Sequence, residues 1–208
     1  LNESSFRNWL WFSINNFLQF YIIILYKMDL NFLTLIMIVL VIYISYEMFK
    51  NSETFQLSCI ISDVNGKKYC VRDRKDKEAA ADLLAQVSNR LKKLVNYLII
   101  QYPDDIRTLR LKKKFNPRVI VETLPTSEYQ AYSENKGEKL AFCLNKDKDN
   151  NNKLIDINTL MYVALHELAH ICSQSIGHTP EFWTNFKWLL INAKEIKIYN
   201  PIDYKKNN

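Results

Sequence analysis

An apolar run without a charged side chain, residues 30–46, limits the fold of this chain more than any other feature. A helix needs about 17–25 apolar residues to cross a bilayer, and this run, extended by Met48 and Phe49 past Glu47, meets that length. A helix at the surface of a soluble protein is apolar on one side, whereas this run is apolar all round. The sequence therefore predicts a transmembrane anchor over residues 28–50, with a buried core helix as the alternative.

Residues 1–27 form an uncertain segment upstream of the anchor. The first methionine, Met28, directly precedes the apolar run, so residues 1–27 are either an untranslated read or the tail of something truncated. A two-helix membrane hairpin is another option, while a cleaved signal is disfavoured because no small-residue cleavage site follows the run. If the chain starts at Met28, the only charged residue before the apolar run is Asp29, whereas Lys50 and further lysines follow the run. By the positive-inside rule, this asymmetry predicts that the remaining domain lies in the cytoplasm.

Residues 51–208 have the composition of one soluble domain. The 208-residue chain is 48% hydrophobic with only 3 glycines, which excludes disorder, collagen-like repeats and a disulfide-stapled miniprotein. Charges cancel within the first fifty residues, so the formal net charge of +6 belongs to this domain. The basic run 107–114 is either a solvated face or a surface for nucleic acid or anionic lipid. The solvated face is favoured because no aromatic stacking platform accompanies the run.

Periodicity and turn residues predict an α+β domain with a small antiparallel sheet and several helices. In chain order the predicted elements are a hairpin over 55–73 around Asn65-Gly66, an amphipathic helix over 79–100, a short basic helix ending at Asn116-Pro117, a hairpin pairing 129–133 with 139–144, and a solvated loop over 145–153.

The cysteines are predicted to be free thiols. They are Cys59, Cys70, Cys143 and Cys172, too few and too scattered for a secreted disulfide framework, and none forms a CxxC zinc motif. Cys59 and Cys70 flank the Asn65-Gly66 turn. A two-residue turn there would pair Ile61 with Cys70 and leave Cys59 diagonal, which is usually too far for a disulfide.

All three histidines of the chain lie close together, at His166, His170 and His178. Residues four apart share one face of a helix, so His166 and His170 can bind the same metal ion. Glu167 points away from the metal and can hold the water bound to it, which is the HExxH arrangement of zinc peptidases. The sequence therefore predicts a zinc site with Glu167 as the catalytic acid/base.

The residues around this motif predict the helix that it requires. Asp156 or Asn158 provides an N-cap, and apolar residues follow at helical spacing until Gly177, the predicted left-handed end. Thr179 then caps a second helix. His178 lies at the turn between the two helices and is the predicted third ligand, leaving a fourth position open for water.

Two glutamates are alternatives for the third ligand, Glu181 and Glu195, because some HExxH enzymes use a glutamate from a following helix. The metzincin pattern does not fit, since Ser173 and Ile176 occupy the positions of its glycine and third histidine.

Other parts of the catalytic machinery are less well defined by the sequence. A tyrosine is the usual additional donor to the oxyanion, and Tyr132, Tyr199 and Tyr204 are the candidates. The strand predicted over 139–144 precedes the zinc helix and could align an extended peptide by edge pairing. The aromatic residues after the motif are predicted to form the core of the last helix: Phe182, Trp183, Phe186 and Trp188.

The motifs HELAH and GHTPEFW resemble those of the compact zinc metallopeptidases of the WLM and SprT-like kind. The stretch from about Tyr69 through NKGEKLAFCL to NPIDY is also similar to uncharacterised metallopeptidase-like proteins of giant DNA viruses, which often carry one N-terminal membrane span. The resemblance implies a compact zincin-like fold and a zinc ion bound by His166, His170 and His178. It also implies Glu167 as the acid/base.

The sequence thus predicts a membrane-anchored zinc metallopeptidase that cleaves a protein or peptide substrate on the cytoplasmic or virion-interior side. Two alternatives stay open. One is a catalytically inactive interaction module in which the zinc is structural. The other is a protease acting on nucleic-acid-bound proteins, which the SprT-like resemblance and the basic run 107–114 would suggest.

Overall fold

The structure is a computed structural model, and it describes residue 19 and residues 32–50, 52, 56–147 and 150–202. The chain divides into two compact units, Leu1–Phe49 and Lys50–Asn208. Apart from residue 19, the predicted upstream segment 1–27 lies outside the described residues.

Helix α1, Phe32–Lys50, is the main described element of the first unit, and none of its residues is buried. Among the described residues it is the one helix that is long and apolar enough to cross a membrane. A signal sequence near an N-terminus has the same length and composition. Helix α1 is therefore a candidate span by length and composition alone.

The described part of the second unit contains seven strands and four helices, and the predicted α+β class is confirmed. In chain order the elements are β1 (Leu57–Ile61), β2 (Lys68–Arg72), α2 (Lys77–Gln101), α3 (Ile106–Lys114), β3 (Ile120–Glu122), β4 (Ala131–Glu134), β5 (Lys139–Phe142), β6 (Asn145–Asp147), β7 (Asn150–Leu154), α4 (Ile157–Cys172) and α5 (Pro180–Glu195).

The core of the second unit forms around α2. The predicted apolar side of α2 is buried, and it consists of Leu83, Leu84, Val87, Leu91, Leu94, Val95 and Leu98. The cluster of buried apolar residues draws only on the chain between Tyr69 and Tyr199. Because α1 adds no buried residue, a fragment beginning at residue 51 retains the complete core of the described domain, and we expect it to fold on its own.

The β1–β2 hairpin has a different register from the predicted one. The backbone N–H of Ser62 donates to the carbonyl oxygen of Lys67 at 2.9 Å, so residues 63–66 form a longer loop than the predicted two-residue turn. This register places Cys59 opposite Cys70, and the two form a disulfide. The prediction of free thiols is wrong for this pair because loop length sets strand register.

The other two cysteines, Cys143 and Cys172, are free as predicted. Burial raises the pKa of the Cys172 thiol to about 12, so this side chain behaves as a small apolar residue of the core.

The sheet next to the HExxH helix has the strand order β3-β5-β4. Strands β4 and β5 are the predicted second hairpin, and Asn135, Lys136 and Gly137 in its turn all have positive φ. Strand β3 was not predicted, although Val119, Ile120 and Val121 are β-branched, and it pairs with β5 in parallel. Strand β5 is therefore central, and the prediction that 139–144 presents a free edge is wrong. The outer strands of this three-stranded sheet are β3 and β4.

The predicted solvated loop 145–153 contains a hairpin instead. Strands β6 and β7 pair antiparallel around residues 148 and 149, which the structure does not describe. The Asn145 side chain is buried and accepts a hydrogen bond from the Arg74 guanidinium. This contact and the strand pairing outweigh the low strand propensity of Asn, Asp and Lys.

The basic run 107–114 falls in α3, and both of its arginines form contacts within the molecule. Arg107 pairs with Asp105 and lies 3.9 Å from the ring centre of Trp188. Arg110 pairs with Glu181 at 3.0 Å. The lysines at positions 112–114 remain exposed.

Candidate metal centre

Helix α4 carries the HExxH motif and begins as predicted. Asp156 is the N-cap, and its carboxylate accepts hydrogen bonds from the backbone N–H groups of Asn158 and Thr159. These bonds satisfy amides that have no partner within the helix. The start of α4 is therefore fixed by local sequence.

The end of α4 differs from the prediction. The helix stops at Cys172, where Ser173 takes an extended conformation with φ −86° and ψ 143°. The Ser173 hydroxyl donates to the carbonyl oxygen of Ala169 and accepts from Asn185 on α5, so packing between the two helices fixes this end. Gly177 has a positive φ of 80°, but it lies in the following loop and does not end the helix.

The three histidines come together at one point. The centroids of their rings form a nearly equilateral triangle, with 5.0 Å between His166 and His170, 4.9 Å between His166 and His178, and 5.0 Å between His170 and His178. One ligand atom from each residue lies within 4.8 Å of the others, and the Nε2 atoms of His166 and His178 are 2.9 Å apart.

This spacing fits a bound metal ion. Two nitrogen ligands of a tetrahedral zinc ion stand about 3.3 Å apart, given Zn–N bonds of about 2.0–2.1 Å. Nitrogen donors from imidazole also suit zinc by their chemistry. The side chains that the HExxH pattern and the following turn predicted are therefore the ones that the structure brings together.

The surroundings keep two of the imidazoles neutral, which is the form that binds a metal. Burial lowers the pKa of His166, with a smaller contribution from its electrostatic interaction with His178. Burial also lowers the pKa of His170 to about 4, assisted by unfavourable electrostatic interactions with His166, His178 and Lys136.

Phe182 on α5 forms the apolar side of this cluster. Its buried ring lies 4.8 Å from His166, 4.4 Å from His170 and 4.7 Å from His178, centroid to centroid. Phe182 and Phe186 are buried as predicted, whereas Trp183 is 54% exposed and contacts the His178 ring from the solvent side.

Glu167 lies beside the cluster on the same helix, and it is buried. Burial raises the pKa of its carboxyl from 4.5 to about 7. A group with a pKa near neutrality can take up and release a proton at physiological pH, as general acid/base catalysis requires.

The histidines and Glu167 line a cleft of about 350 Å³. Its other walls come from the β4–β5 hairpin and the loop after α4, through Ala131, Tyr132, Ser133, Lys136, Ser175, Ile176 and Gly177. The backbone N–H of Cys143 donates to the carbonyl oxygen of Gln130 at 2.7 Å. Since bonded and non-bonded pairs alternate in antiparallel strands, the backbone groups of Ala131 and Ser133 point away from β5, toward the open edge.

Neither alternative third ligand belongs to the cluster. The Glu181 carboxylate accepts hydrogen bonds from the backbone N–H groups of Gln174 and Ser175, from the Ser175 hydroxyl and from Arg110. The two backbone hydrogen bonds contribute most to lowering the pKa of Glu181 to about 2. Glu195 is the last residue of α5, and its carboxylate forms a hydrogen bond with the side chain of Tyr97.

The three tyrosine candidates differ in their position relative to the cleft. Tyr132 lines the cleft. Tyr199 is buried, packs 6.2 Å from the Tyr162 ring and is not part of the lining. Tyr204 lies outside the described residues.

Two residues shape the site in a way that the sequence did not predict. Lys136 was not singled out at all, and Glu181 was considered only as a metal ligand. Both fasten the loop that carries His178. The turn around Lys136 was recognisable from Gly137, but no feature of one sequence indicates that Lys136 contacts a loop almost forty residues later.

Comparisons with known proteins agree with the motifs. Residues 65–207 match the WLM domain family. Uncharacterized protein R325 of Acanthamoeba polyphaga mimivirus is 31% identical over 180 residues, 85% of this chain and 88% of that protein. Uncharacterized protein 042R of Invertebrate iridescent virus 3 is 38% identical over 87 residues, 42% of this chain and 50% of that protein.

Among solved structures, Wss1 from Saccharomyces cerevisiae is similar with a TM-score of 0.47 and 19% identity, over 66% of this chain and 97% of that chain. The family match spans most of the second unit and includes the histidine cluster, so the resemblance drawn from HELAH and GHTPEFW is confirmed. The chain belongs to the WLM domain family, which is of metallopeptidase type.

Proposed function

We propose that this chain is a zinc-dependent metallopeptidase in which His166, His170 and His178 bind the metal. The observation that carries the proposal is the triangle of imidazoles with a buried glutamate beside it on the same helix. Three nitrogen ligands and an open fourth position are typical of catalytic zinc sites, whereas structural sites use four protein ligands.

Glu167 is the proposed catalytic acid/base. Zinc, when bound, supplies Lewis acidity that polarises the scissile carbonyl and lowers the pKa of the attacking water. The Glu167 carboxylate accepts a proton from that water and delivers it to the leaving amine. Burial raises the pKa of Glu167 to about 7, and a pKa in this range suits both proton transfers.

The edge strand β4 is the proposed substrate-aligning element, in place of the predicted strand 139–144. The outward backbone groups of Ala131 and Ser133 can pair with an extended peptide, as in other complexes formed by strand addition. Such a peptide would run along the cleft past Glu167. Tyr132 is the proposed additional donor to the oxyanion, because it lines the same cleft.

We further propose that α1 anchors the enzyme in a membrane, with the second unit on the cytoplasmic or virion-interior side. The lysines after α1 support this side. The Cys59–Cys70 disulfide argues against the cytoplasmic side, since disulfides persist in oxidising compartments. Protease protection in sealed vesicles tests the side, and cleavage of the second unit only after the vesicles are opened would contradict a cytoplasmic domain.

The proposal does not extend to nucleic-acid-bound substrates. Arg107 and Arg110 of the basic run are engaged in ion pairs within the molecule, which leaves the exposed lysines at 112–114. An exposed lysine cluster without a stacking platform is typical of a solvated face.

The decisive experiment compares the fragment from residue 51 with its Glu167→Gln variant. We expect both proteins to bind one zinc ion, and only the wild type to cleave casein or itself. The variant's kcat/KM should fall by about 10²–10⁴-fold, the usual contribution of a general acid/base. Glu78→Gln, at an exposed glutamate in the first turn of α2, is the control.

Two results would contradict the mechanism. If activity survives Glu167→Gln, this carboxyl is not the acid/base. If the zinc-bound wild type cleaves neither substrate, the inactive interaction module becomes the better interpretation.

A further inference from the structure

The ammonium group of Lys136 binds three consecutive backbone carbonyl oxygens where the chain leaves α4. Its Nζ lies 3.0 Å from the oxygen of Ser173, 2.6 Å from that of Gln174 and 3.1 Å from that of Ser175. An ammonium group has three N–H donors, and here each one has an acceptor. Lys136 lines the cleft, but its donors are therefore already used and are not free to bind a substrate carboxylate.

The same loop is held from its other side by an anion. The Glu181 carboxylate, in the first turn of α5, accepts the backbone N–H groups of Gln174 and Ser175 at 2.9 Å each. Arg110 on α3 donates to Glu181 and to the carbonyl oxygen of Cys172. The carbonyls of the loop are thus bound by one charged side chain and its amides by another.

His178 depends on this loop for its position. It follows Ser175 by three residues, and its side chain is exposed, in contrast to His166 and His170 on the helix. The helix fixes the spacing of those two histidines without help, whereas the third reaches the cluster only if the loop keeps its path. Packing of the His178 ring against Phe182 and Trp183 fixes the ring but not the loop backbone.

We propose that Lys136 is a positioning residue for the third metal ligand, His178, and so sets the metal affinity of the site. This inference rests on the proposed function in that it takes His178 as a ligand. Lys136 also lies in the turn directly after β4, so it connects the proposed substrate-aligning strand to the loop of the third ligand. Residues that orient metal ligands through hydrogen bonds typically change metal affinity by about 10–100-fold when they are replaced.

The test measures zinc affinity and the visible absorption of the cobalt-substituted fragment from residue 51. Lys136→Met keeps the length of the side chain and removes all three hydrogen bonds. We expect it to weaken zinc binding by about 10–100-fold and to move the cobalt spectrum toward that of His178→Ala. Lys136→Arg keeps donors and charge, and should restore much of the affinity.

Lys114→Met is the matched control. Burial lowers the pKa of Lys136, and the charge of the nearby Lys114 adds to this shift. The exposed Lys114 side chain has no hydrogen bond to the loop within the described residues. Its replacement removes a positive charge from the same region and should leave the zinc affinity and cobalt spectrum unchanged.

Lys136→Met with wild-type zinc affinity and a wild-type cobalt spectrum would overturn the inference. If Lys136→Met does not fold, Glu181→Ala, which removes both acceptor oxygens, releases the loop from the amide side, and the same metal defect is then required of it. These readouts need no catalysis. A wild type that binds zinc but cleaves nothing would refute the proposed function alone, whereas an active wild type beside a Lys136→Met variant with normal metal binding would refute the inference alone.

Discussion

Phe182 lies against His170 with 4.4 Å between the ring centroids and 31° between the ring planes. The same ring is within 4.8 Å of the other two imidazoles. One buried side chain from α5 therefore supports all three proposed ligands. It also excludes water from one side of the cluster, and the resulting burial contributes to the low pKa of His170.

Replacing Phe182 should affect both stability and metal binding. Phe182→Leu removes part of a fully buried ring, and we expect the free energy of unfolding to fall by about 2 kcal/mol. Zinc affinity should fall as well, because the imidazoles lose their common packing partner. Urea unfolding and zinc titration measure the two effects.

Trp183→Leu is the control, at the neighbouring residue, which is 54% exposed. Its effect on stability should stay within about 0.5 kcal/mol, as for most surface substitutions. Equal losses of stability in the two variants would show that Phe182 has no special packing role.

Gly137 provides a second prediction, because the β4–β5 turn has no room for a side chain there. A Cβ atom at this position would lie 2.7 Å from the carbonyl oxygen of Lys114 and 3.0 Å from Cδ1 of Ile171, and φ is 111°. We expect Gly137→Ala to lower the free energy of unfolding by about 2–3 kcal/mol. Zinc affinity should also fall, since this turn carries Lys136.

Gly66→Ala separates backbone strain from steric clash. Gly66 has a φ of 66°, but nothing lies within 4 Å of its added Cβ. Its substitution should therefore cost about 1 kcal/mol, from conformation alone. If urea unfolding gave the same loss for both glycines, the close approach at Gly137 would carry no energetic weight.

The parts of the site that the sequence predicts are those fixed by local geometry. His166, Glu167 and His170 take their relative positions from one turn of helix, and Asp156 caps that helix through amides two and three residues away. His178 lies eight residues after His170, in the loop between α4 and α5. Spacing and capping rules operate over such short separations, so one sequence suffices for them.

The parts that the sequence does not predict depend on distant contacts. The early end of α4 at Ser173 depends on Asn185 and on Lys136 from another element. The Cys59–Cys70 disulfide depends on the exact length of the 63–66 loop, because a different register separates the two sulfurs. Periodicity carries no information about either relationship.

The pH dependence of stability offers a third prediction, in the metal-free fragment. Burial raises the pKa of Glu167 from 4.5 to about 7, so between these values the folded state keeps a proton that the unfolded chain releases. The contribution of this group to stability therefore falls as the pH rises from about 4.5 to about 7. Glu167→Gln removes the dependence.

We expect the stability of Glu167→Gln relative to wild type to increase between about pH 5 and about pH 8, by up to about 3 kcal/mol. His170, with its pKa lowered to about 4, contributes the opposite slope between about pH 4 and 6.5, but it does so in both proteins and cancels in the difference. Urea unfolding of both proteins at several pH values, in the presence of a chelator, measures this difference in stability. A difference that does not change with pH would mean that Glu167 titrates normally.

The disulfide gives the last prediction. Thiol titration of the unreduced, denatured fragment should detect Cys143 and Cys172 only. Replacing Cys59 and Cys70 together by serine should lower the free energy of unfolding by about 2–3 kcal/mol, the loop-closure effect expected for a short loop. Zinc affinity should not change, because neither cysteine lines the cleft.

Cys143→Ser, which removes a free thiol, is the control for stability. Titration of all four cysteines would instead mean that β1 and β2 are held by hydrogen bonds alone, and would remove the argument that the disulfide makes against the cytoplasmic side.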